Sequence, residues 1–336
     1  MMEEKMNNNS RFGELKLIIA NSHSKLGLDV AKELNIPPLE MESGTFQNNQ
    51  PRVWRKGDVS GADICIISSL HDWQNTMGEF LQIVDSIQGA SRIFGVFPFV
   101  GTGKADHPKR FGDPITYKIT ADLISQSGID LGVIFDQHTS QHPYFYDTKH
   151  HRLHTVHHLY LMRILIEYAR DYLNFDGILA LDDGSYKRNA KISEFLKTTD
   201  VSFVFKTRDP NTLRVDINKS FIIGDVKNKK VISFDDMCQS SDTIVVGAQI
   251  AKRNGAKEVT VLIVHNDFGQ NTFDILNPAL QSGLIDKMIV LETILLIRAG
   301  EWHPNLIVLS PAKFIAEVIN CVHKEGHMRQ FFLPIS

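Results

Sequence analysis

The chain has 336 residues, of which 43% are hydrophobic and 22% are charged. These proportions are those of a globular protein and exclude disordered, collagen-like and low-complexity classes. Lys and Arg total 36 against 39 Asp and Glu, so the formal charge of −3 gives no basic surplus that would favour a nucleic-acid partner. At roughly 150 residues per domain, the length favours two domains, each with its own core.

The composition also favours a cytoplasmic protein with no membrane partner. No apolar run approaches the roughly 18 residues that a membrane span needs. Residues 1–13 are mostly polar and Asn-rich, without the apolar core of a signal peptide, and we expect them to form a disordered tail. Three widely separated cysteines form neither a metal-binding spacing nor a disulfide framework, which suits a reducing compartment.

Short apolar runs rich in Ile and Val alternate with longer amphipathic stretches along the chain. Near-continuous apolar runs of this length are typical of strands that are covered on both faces. Their alternation with helices predicts parallel sheets with right-handed crossovers, hence an α/β protein. The predicted strands are Leu15–Ala20, Asp63–Ser68, Ile93–Phe99, Leu131–Phe135, Gly177–Leu181, Val201–Phe205, Lys230–Phe234 and Glu258–Val264. The predicted helices are Lys25–Leu34, Met77–Gln88, Ile115–Ser125, Leu159–Tyr172, Asn189–Lys197, Thr243–Arg253 and Lys313–His323.

A domain break is predicted in the His- and Tyr-rich stretch Pro143–Thr155, which fits neither the helical nor the strand spacing of apolar residues. The alternation of strands and helices restarts after it. We therefore place an N-terminal α/β domain at residues 14–150 and a C-terminal α/β domain at residues 151–305. Residues 306–336 are expected to supply a strand and a helix that pack back on the N-terminal domain.

The loop after the strand Lys230–Phe234 is the first candidate site, because active sites of open α/β sheets gather at the carboxyl ends of strands. Asp235 and Asp236 end this strand, and the polar run Ser240–Thr243 leads into a helix. Paired acids there can hold ribose hydroxyls or a metal ion, and the helix start offers backbone N–H groups to a phosphate. The alternative is that these residues only cap the helix.

Taken together with other segments, this loop resembles that of the ribose-phosphate pyrophosphokinase (phosphoribosyl pyrophosphate synthase) family. The two acids and the polar turn are similar to the ribose-phosphate loop that this family shares with phosphoribosyltransferases. The resemblance runs in register from Leu15 to about His323. Its other parts are a long flexible loop (FGVFPFVGTGKADHPKRFGDPI, residues 94–115), a metal-binding segment (FDQHTSQ, 135–141), a pyrophosphate loop (LDDGSYKR, 181–188), a catalytic Lys-Arg pair (FKTR, 205–208), and the segments IIGDV (222–226) and SGLIDKMIVLETI (282–294).

The resemblance implies a fold of two similar parallel-sheet domains of the type I phosphoribosyltransferase kind, with the active site between them. It also implies transfer of the diphosphoryl group of ATP to ribose 5-phosphate, with release of AMP. Such a transfer needs alignment, Mg²⁺ and positive charge around the phosphoryl oxygens rather than covalent help. Matching positions imply that His138 and Asp182 bind Mg²⁺, and that Lys206 and Arg208 are the catalytic residues that stabilise charge on the transferred group.

The same resemblance implies the substrate-binding residues and the assembly. Because the family builds its ATP site across subunits, we expect a homo-oligomer (a dimer or hexamer), with a paralogous synthase as another candidate partner. Ribose binding is assigned to Asp235 and Asp236, 5-phosphate binding to Ser240, Ser241 and Thr243, adenine contacts to Phe46, Asn48 and Gln50, and closure over ATP to the loop residues Lys104, Asp106 and His107.

Several positions depart from the family pattern. In the ribose-phosphate loop Gln239 replaces an acid, and Asp242 replaces a glycine and brings a negative charge that should repel a phosphate. The other departures are Asn48 and Gln50 in place of two acids, Lys104-Ala105 in place of an Arg-Gln pair, and Ser185 in place of a glycine.

These departures leave two functions open. In the first, the protein is a divergent but active synthase, because the charged residues on which phosphoryl transfer depends are retained. In the second, it is a catalytically impaired regulatory paralog that binds nucleotide or an active synthase. A phosphoribosyltransferase is a weaker candidate, since it would leave the collinear N-terminal half unexplained.

A cluster of histidines also invites a functional interpretation, because seven of the 14 lie between His138 and His158. If this stretch is helical, His150, His154 and His158 share one face at four-residue spacing and could bind a transition metal. We favour a polar, partly exposed linker, since no cysteine or clear acid pair completes a site.

Overall fold

The structure of the protein is a computed structural model that describes residues 9–47, 51–207, 215–239, 241–296 and 298–333. The chain forms two compact units. The first unit holds the chain up to Tyr160, together with Thr293–Leu295 and Pro311–Phe332. The second unit holds Leu161–Glu292, Leu296–Ser310 and the chain from Leu333 onward.

The described elements alternate between strand and helix over most of the chain. In chain order they are β1 (Asn9–Ser10), β2 (Gly13–Ile19), α1 (Ser24–Leu34), β3 (Met41–Thr45), β4 (Pro51–Arg55), β5 (Asp63–Ile67), α2 (Trp73–Ser86), β6 (Arg92–Phe97), α3 (Thr116–Gln126), β7 (Leu131–Phe135), β8 (Thr155–Leu159), α4 (Met162–Tyr172), β9 (Gly177–Ala180), α5 (Asp183–Leu196), β10 (Val201–Phe205), β11 (Phe221–Ile223), β12 (Lys230–Met237), α6 (Asp242–Arg253), β13 (Glu258–His265), α7 (Thr272–Gln281), β14 (Lys287–Leu291), β15 (Leu306–Leu309) and α8 (Ala312–His323).

Each unit is built on one mainly parallel sheet, which confirms the predicted α/β class. The first sheet has the order β1-β2-β5-β6-β7-β8, and the second has the order β11-β10-β9-β12-β13-β14-β15. In both sheets an edge strand, β1 or β11, runs antiparallel to its neighbour. β5 and β6 are buried along their whole length, as expected of strands covered on both faces. β3 and β4 form a separate antiparallel hairpin.

Across the described residues, no helix has both the length and the apolar character that a membrane crossing requires.

Most predicted elements are present, but some boundaries differ. β7 and β10 begin and end at the predicted residues. α5 begins at Asp183, earlier than predicted, because Asp182 caps its amino end by accepting a hydrogen bond from the Ser185 N–H at 2.8 Å. The segment interpreted as a pyrophosphate loop is therefore largely helical. The predicted helix start at Leu159 is wrong, since Leu159 ends β8 and α4 begins at Met162.

The histidine-rich stretch does not form the helix that would align its side chains. His158 lies on β8, where its Nε2 accepts a hydrogen bond from the Gln137 N–H at 3.0 Å. The His154 N–H donates to the Asp130 carbonyl at 2.9 Å just before the strand. The helical alternative for the histidines is therefore wrong, and no three His, Cys, Asp or Glu side chains in the described ranges are grouped closely enough to hold a metal ion.

The division of the chain can be set beside the predicted domains. The chain passes from the first unit to the second after Tyr160, whereas we expected a boundary at residues 150 and 151. The added residues form β8, which pairs with β7 and so extends the first sheet. Residues 306–336 were expected to pack back on the N-terminal domain. Of this segment, β15 pairs with β14 in the second sheet, whereas α8 lies in the first unit.

A buried ion pair fixes α8 to the first sheet. The Asp63 carboxylate is fully buried and accepts two hydrogen bonds from the Arg92 guanidinium, at 2.8 and 2.6 Å. The same carboxylate lies 2.7 Å from Nδ1 of His323 at the end of α8. Arg92 also donates to the Val322 carbonyl at 3.1 Å. One carboxylate thus organises the ends of β5, β6 and α8.

We expect Asp63→Ala to lower the free energy of unfolding of the first unit by about 3–5 kcal/mol, because it leaves a buried guanidinium without its partner. The measurement is urea unfolding followed by circular dichroism. Asp122→Ala is the control, since it removes only the exposed i,i+4 pair with Lys118 and should cost less than about 0.5 kcal/mol. Equal losses in the two variants would contradict this account of α8.

Candidate active site

The carboxyl end of β12 carries two adjacent carboxylates that share one guanidinium. Arg188 of α5 lies 2.5 Å from Oδ1 of Asp235 and 3.4 Å from Oδ2 of Asp236. β12 extends beyond its predicted end, so both acids belong to the strand itself. The sequence alone assigns no role to Arg188, although it lies in the LDDGSYKR segment. Its contact with Asp235 joins residues 47 apart in the chain, so the sequence carried no signal for it.

The local fold explains why α5 reaches these acids. β9 and β12 pair only at Val231 and Ile232 and then separate toward their carboxyl ends. The fully buried Asn189 bridges the resulting gap. Its side-chain amide accepts from the Phe234 N–H at 3.0 Å and donates to the Phe234 carbonyl at 2.8 Å. An amide side chain thus takes the hydrogen bonds that a paired strand would make, and it holds α5 beside the acids.

Asp182 adds a third negative charge to this group. We call Asp182, Asp235 and Asp236 together with Arg188 the acid cluster. Burial, together with the neighbouring charges of Asp236 and Asp182, raises the pKa of Asp235 to about 8 against the opposing effect of Arg188. Asp235 and Asp236 both contact the guanidinium, and with Asp182 nearby the cluster holds more acids than basic groups.

No three acids of the described residues are close enough to form a metal site by themselves, but one or two carboxylates of this cluster suit a divalent cation. Mg²⁺ prefers oxygen ligands and usually takes one or two carboxylates, completing its shell with water and substrate phosphates. Oδ1 of Asp182 caps α5. The three acids of the cluster have more oxygen atoms than the guanidinium of Arg188 contacts. A bound cation would offset the repulsion by Asp236 and Asp182, which adds to burial in raising the pKa of Asp235.

The loop between β12 and α6 leads directly into a helix amino end. α6 begins at Asp242, with Ser241 as its amino-cap residue. The Ser241 hydroxyl is buried and has no hydrogen-bond partner among the described residues. Asp242 and Thr243 are exposed in the first turn, where a negative charge favours the helix but competes with an anion for the same N–H groups. Ser240 lies outside the described residues.

Lys206 follows β10 and reaches this helix start. Its Nζ donates a hydrogen bond to the Thr243 carbonyl at 2.9 Å. The structure therefore brings together two residues that the sequence assigned to different tasks, charge stabilisation and phosphate binding. Arg208, the other predicted catalytic residue, lies outside the described residues.

In the first unit, residues 98–115 contain neither helix nor strand, and Asp106 anchors this loop. Its carboxylate lies 2.6 Å from Nδ1 of His107 and 3.0 Å from Nε2 of His142. Burial raises the pKa of Asp106, but the hydrogen bonds from the two histidines outweigh it, so the net shift is downward. Lys104 lies partly exposed in the same loop.

The anchor connects the loop to the segment that carries His138. Thr139, the next residue, lies 3.4 Å from the Asp106 carboxylate. Gln137 is buried and accepts a hydrogen bond from the Tyr117 hydroxyl at 3.0 Å. His138 itself is half-buried. Within this unit the structure thus groups Asp106 and His107 with the His138 segment.

Phe46 follows β3 in the hairpin and is 52% exposed, so one ring face is open to a stacking partner. Asn48 and Gln50 lie outside the described residues. A pocket of about 500 Å³ lies in the same unit, lined by hairpin residues including Arg52 and by residues of α2 such as Glu79. None of the predicted ATP-binding residues that the structure describes lines this pocket.

Comparisons with known proteins cover nearly the whole chain. Residues 15–128 match the family described as the N-terminal domain of ribose phosphate pyrophosphokinase, and residues 187–333 match the phosphoribosyl synthetase-associated domain. The ribose-phosphate pyrophosphokinase of Clostridium perfringens is 30% identical over 334 residues, covering 97% of this chain and 99% of that one. That of Corynebacterium glutamicum is 29% identical, covering 95% of each. The crystal structure of phosphoribosylpyrophosphate synthetase from Mycobacterium smegmatis matches with a TM-score of 0.82 at 27% identity, covering 93% of this chain and 99% of that one.

The raised pKa of Asp235 predicts how stability depends on pH. The folded protein keeps this proton up to about pH 8, whereas an unfolded chain releases it near pH 4. Folding therefore becomes less favourable as the pH rises through that interval, since the unfolded state binds fewer protons. We expect Asp235→Asn, which cannot ionise, to raise the melting temperature in EDTA more at about pH 8 than at about pH 5.

The control for this prediction is Asp171→Asn. Asp171 is an exposed acid whose pKa is lowered by Arg170, so its substitution should bring no gain at the higher pH. An equal gain at both pH values for Asp235→Asn would show that the raised pKa of Asp235 is not its cause.

Proposed function

The chain belongs to the ribose-phosphate pyrophosphokinase family, and we propose that it transfers the diphosphoryl group of ATP to ribose 5-phosphate. The anomeric oxygen forms a bond to the β-phosphorus of ATP while the bond from that phosphorus to the α–β bridging oxygen breaks. Phosphoribosyl pyrophosphate and AMP are the products. The observation that carries this proposal is the acid cluster, which lies one short loop before the amino end of α6.

The acceptor occupies the end of β12 and the loop that follows it. Asp235 and Asp236 accept hydrogen bonds from the ribose hydroxyls. Ser240, Ser241 and Thr243 bind the 5-phosphate with the N–H groups at the start of α6. The buried hydroxyl of Ser241 supports this role, because it has no partner within the described part of the chain and a phosphate oxygen would supply one.

Lys206 and Arg208 supply positive charge to the transferred group. The hydrogen bond from Lys206 to the Thr243 carbonyl supports this role, since it holds the ammonium at the phosphate-binding helix start. Asp182 and His138 are the residues that hold Mg²⁺, which when bound neutralises charge on the phosphates of ATP. The excess of acids over basic groups in the acid cluster supports the assignment of Asp182.

On the donor side, Phe46 stacks on the adenine, and Asn48 and Gln50 make hydrogen bonds to it. Lys104 and His107 lie on the loop that closes over ATP. Asp106 anchors this loop, since its carboxylate contacts two histidines. The exposure of Phe46 supports its use by a neighbouring subunit in a homo-oligomer. The buried thiols Cys65, Cys238 and Cys321 suit a cytoplasmic location.

The test is to incubate the purified protein with ribose 5-phosphate, Mg²⁺ and each nucleoside triphosphate in turn, and to identify products by mass spectrometry. We expect phosphoribosyl pyrophosphate and AMP in equal amounts. Lys206→Ala should lower kcat by orders of magnitude because transition-state charge is left without its ammonium. Asp182→Asn should do the same, and it keeps an oxygen to cap α5.

Lys219→Ala is the matched control, because this lysine of the second unit is exposed and pairs with Asp216 at 3.6 Å. Its kcat should equal that of the wild type. The absence of product with every nucleotide, from folded protein, would contradict the proposal and favour the regulatory paralog.

Asp242 provides a separate test of the acceptor site. Its exposed carboxylate lies in the first turn of α6, where it repels the incoming 5-phosphate. We expect Asp242→Asn and Asp242→Gly to tighten ribose 5-phosphate binding by about three- to tenfold, measured by calorimetry. Asp242→Glu keeps the charge and should change little. Weaker binding in Asp242→Asn would contradict the repulsion argument.

A further inference from the structure

The parallel pairing of β12 and β13 aligns the ribose-phosphate loop with the loop that follows β13. The last pair in the register joins Met237 to His265. The Cys238 N–H continues the pattern by donating to the His265 carbonyl at 3.1 Å. Gln239 and Asp267 each lie two residues beyond the last pair, so the register carries them to the same edge of the sheet.

These two side chains make a direct contact. Nε2 of Gln239 donates a hydrogen bond to Oδ2 of Asp267 at 2.6 Å. Hydrogen bonds to an ionised carboxylate are shorter and about twice as strong as neutral ones. The contact is therefore a strong tether between the ribose-phosphate loop and the segment before α7.

The backbone of Gln239 is held by the same segment. Its carbonyl accepts hydrogen bonds from the Gly269 N–H at 3.2 Å and from the Thr272 hydroxyl at 3.1 Å. A Cβ on Gly269 would come within 3.3 Å of the Gln239 carbonyl oxygen, so a glycine permits this close approach. Residues 267–272, which we call the clasp, thus bind residue 239 through three hydrogen bonds.

The charge of Asp267 explains why an amide suits position 239. A carboxylate there would face the Asp267 carboxylate at hydrogen-bonding distance and repel it. The amide of Gln239 instead supplies the donor that the carboxylate needs. The loop is therefore tied to the clasp by a complementary pair, two residues before the phosphate-binding Ser241.

We propose that Asp267 is a positioning residue for ribose 5-phosphate. It holds Gln239, and through Gln239 it fixes the loop that presents Ser241 and the amino end of α6 to the 5-phosphate. Because Asp267 acts on the loop and not on the reacting atoms, its loss weakens acceptor binding and leaves the chemical step nearly unchanged. This inference rests on the proposed function.

The test is an isosteric reversal of the pair. Asp267→Ala should raise KM for ribose 5-phosphate about tenfold or more, with kcat within about twofold of the wild type. Gln239→Glu alone should raise KM similarly, because two carboxylates then face each other. The double variant Gln239→Glu with Asp267→Asn reverses donor and acceptor and should restore KM to within about threefold.

Asp274→Asn is the control, since this acid lies in the first turn of α7, is 70% exposed and should leave KM unchanged. A folded reversal variant that does not regain the wild-type KM, or an unchanged KM in Asp267→Ala, would overturn the proposal. The reversal variant keeps the shape of both side chains, so it tests the pair even where Asp267→Ala fails to fold.

A second measurement does not depend on turnover. Amide hydrogen exchange at residues 238–243 of the ligand-free protein should quicken in Asp267→Ala and in Gln239→Glu, and return to the wild-type rate in the reversal variant. Unchanged exchange in the single variants would contradict the positioning role. Wild-type protein with slow exchange here but no synthase activity would count against the proposed function instead.

Discussion

The candidate active site depends on the concentration of negative charge at the carboxyl end of β12. Asp235 and Asp236 share Arg188, and the further charge of Asp182 helps to hold the pKa of Asp235 well above its ordinary value. Three acids lie near a single guanidinium, so the site favours groups that bring positive charge or hydrogen-bond donors. A divalent cation and the hydroxyls of a sugar are such groups. The separation of β9 from β12, bridged by Asn189, makes room for them.

The departures from the family pattern differ in how the surrounding structure accommodates them. Ser185 is absorbed into α5, where its N–H binds the Asp182 carboxylate and its hydroxyl donates to the Asp182 carbonyl at 3.2 Å. Gln239 is matched by a carboxylate from the neighbouring loop. Asp242 is exposed at the start of α6, where it favours the helix at the expense of an anionic ligand. Only the last of these places a charge where it opposes the proposed substrate.

The sequence predicted the elements whose hydrophobic pattern is unambiguous. Buried strands such as β7 and helices such as α6 were placed within a residue or two, because their apolar periodicity reflects burial in their own sheet or layer. β8 was not predicted, because its polar histidines hide the alternation of apolar and polar residues. The start of α5 was predicted too late, because Asp182 was interpreted as a loop residue and not as the helix cap. The acids of the site could be found by motif. Arg188, Asn189 and Asp267 could not, since their roles depend on contacts across 28 to 47 residues of chain that only the fold creates.

The energetics of the acid cluster also bear on whether the protein is a catalyst or a regulatory paralog. Burial of Asp235 beside Asp236 and Asp182 raises its pKa, which lowers the stability of the fold at neutral pH. Such a raised pKa is typical of functional sites, where a ligand offsets it. A paralog that only bound a partner through its surface would be more stable with an amide at this position. Arg188 instead pairs with Asp235 and Asp236, and Asn189 holds the strand directly before them, which is the expected arrangement when these acids bind a ligand.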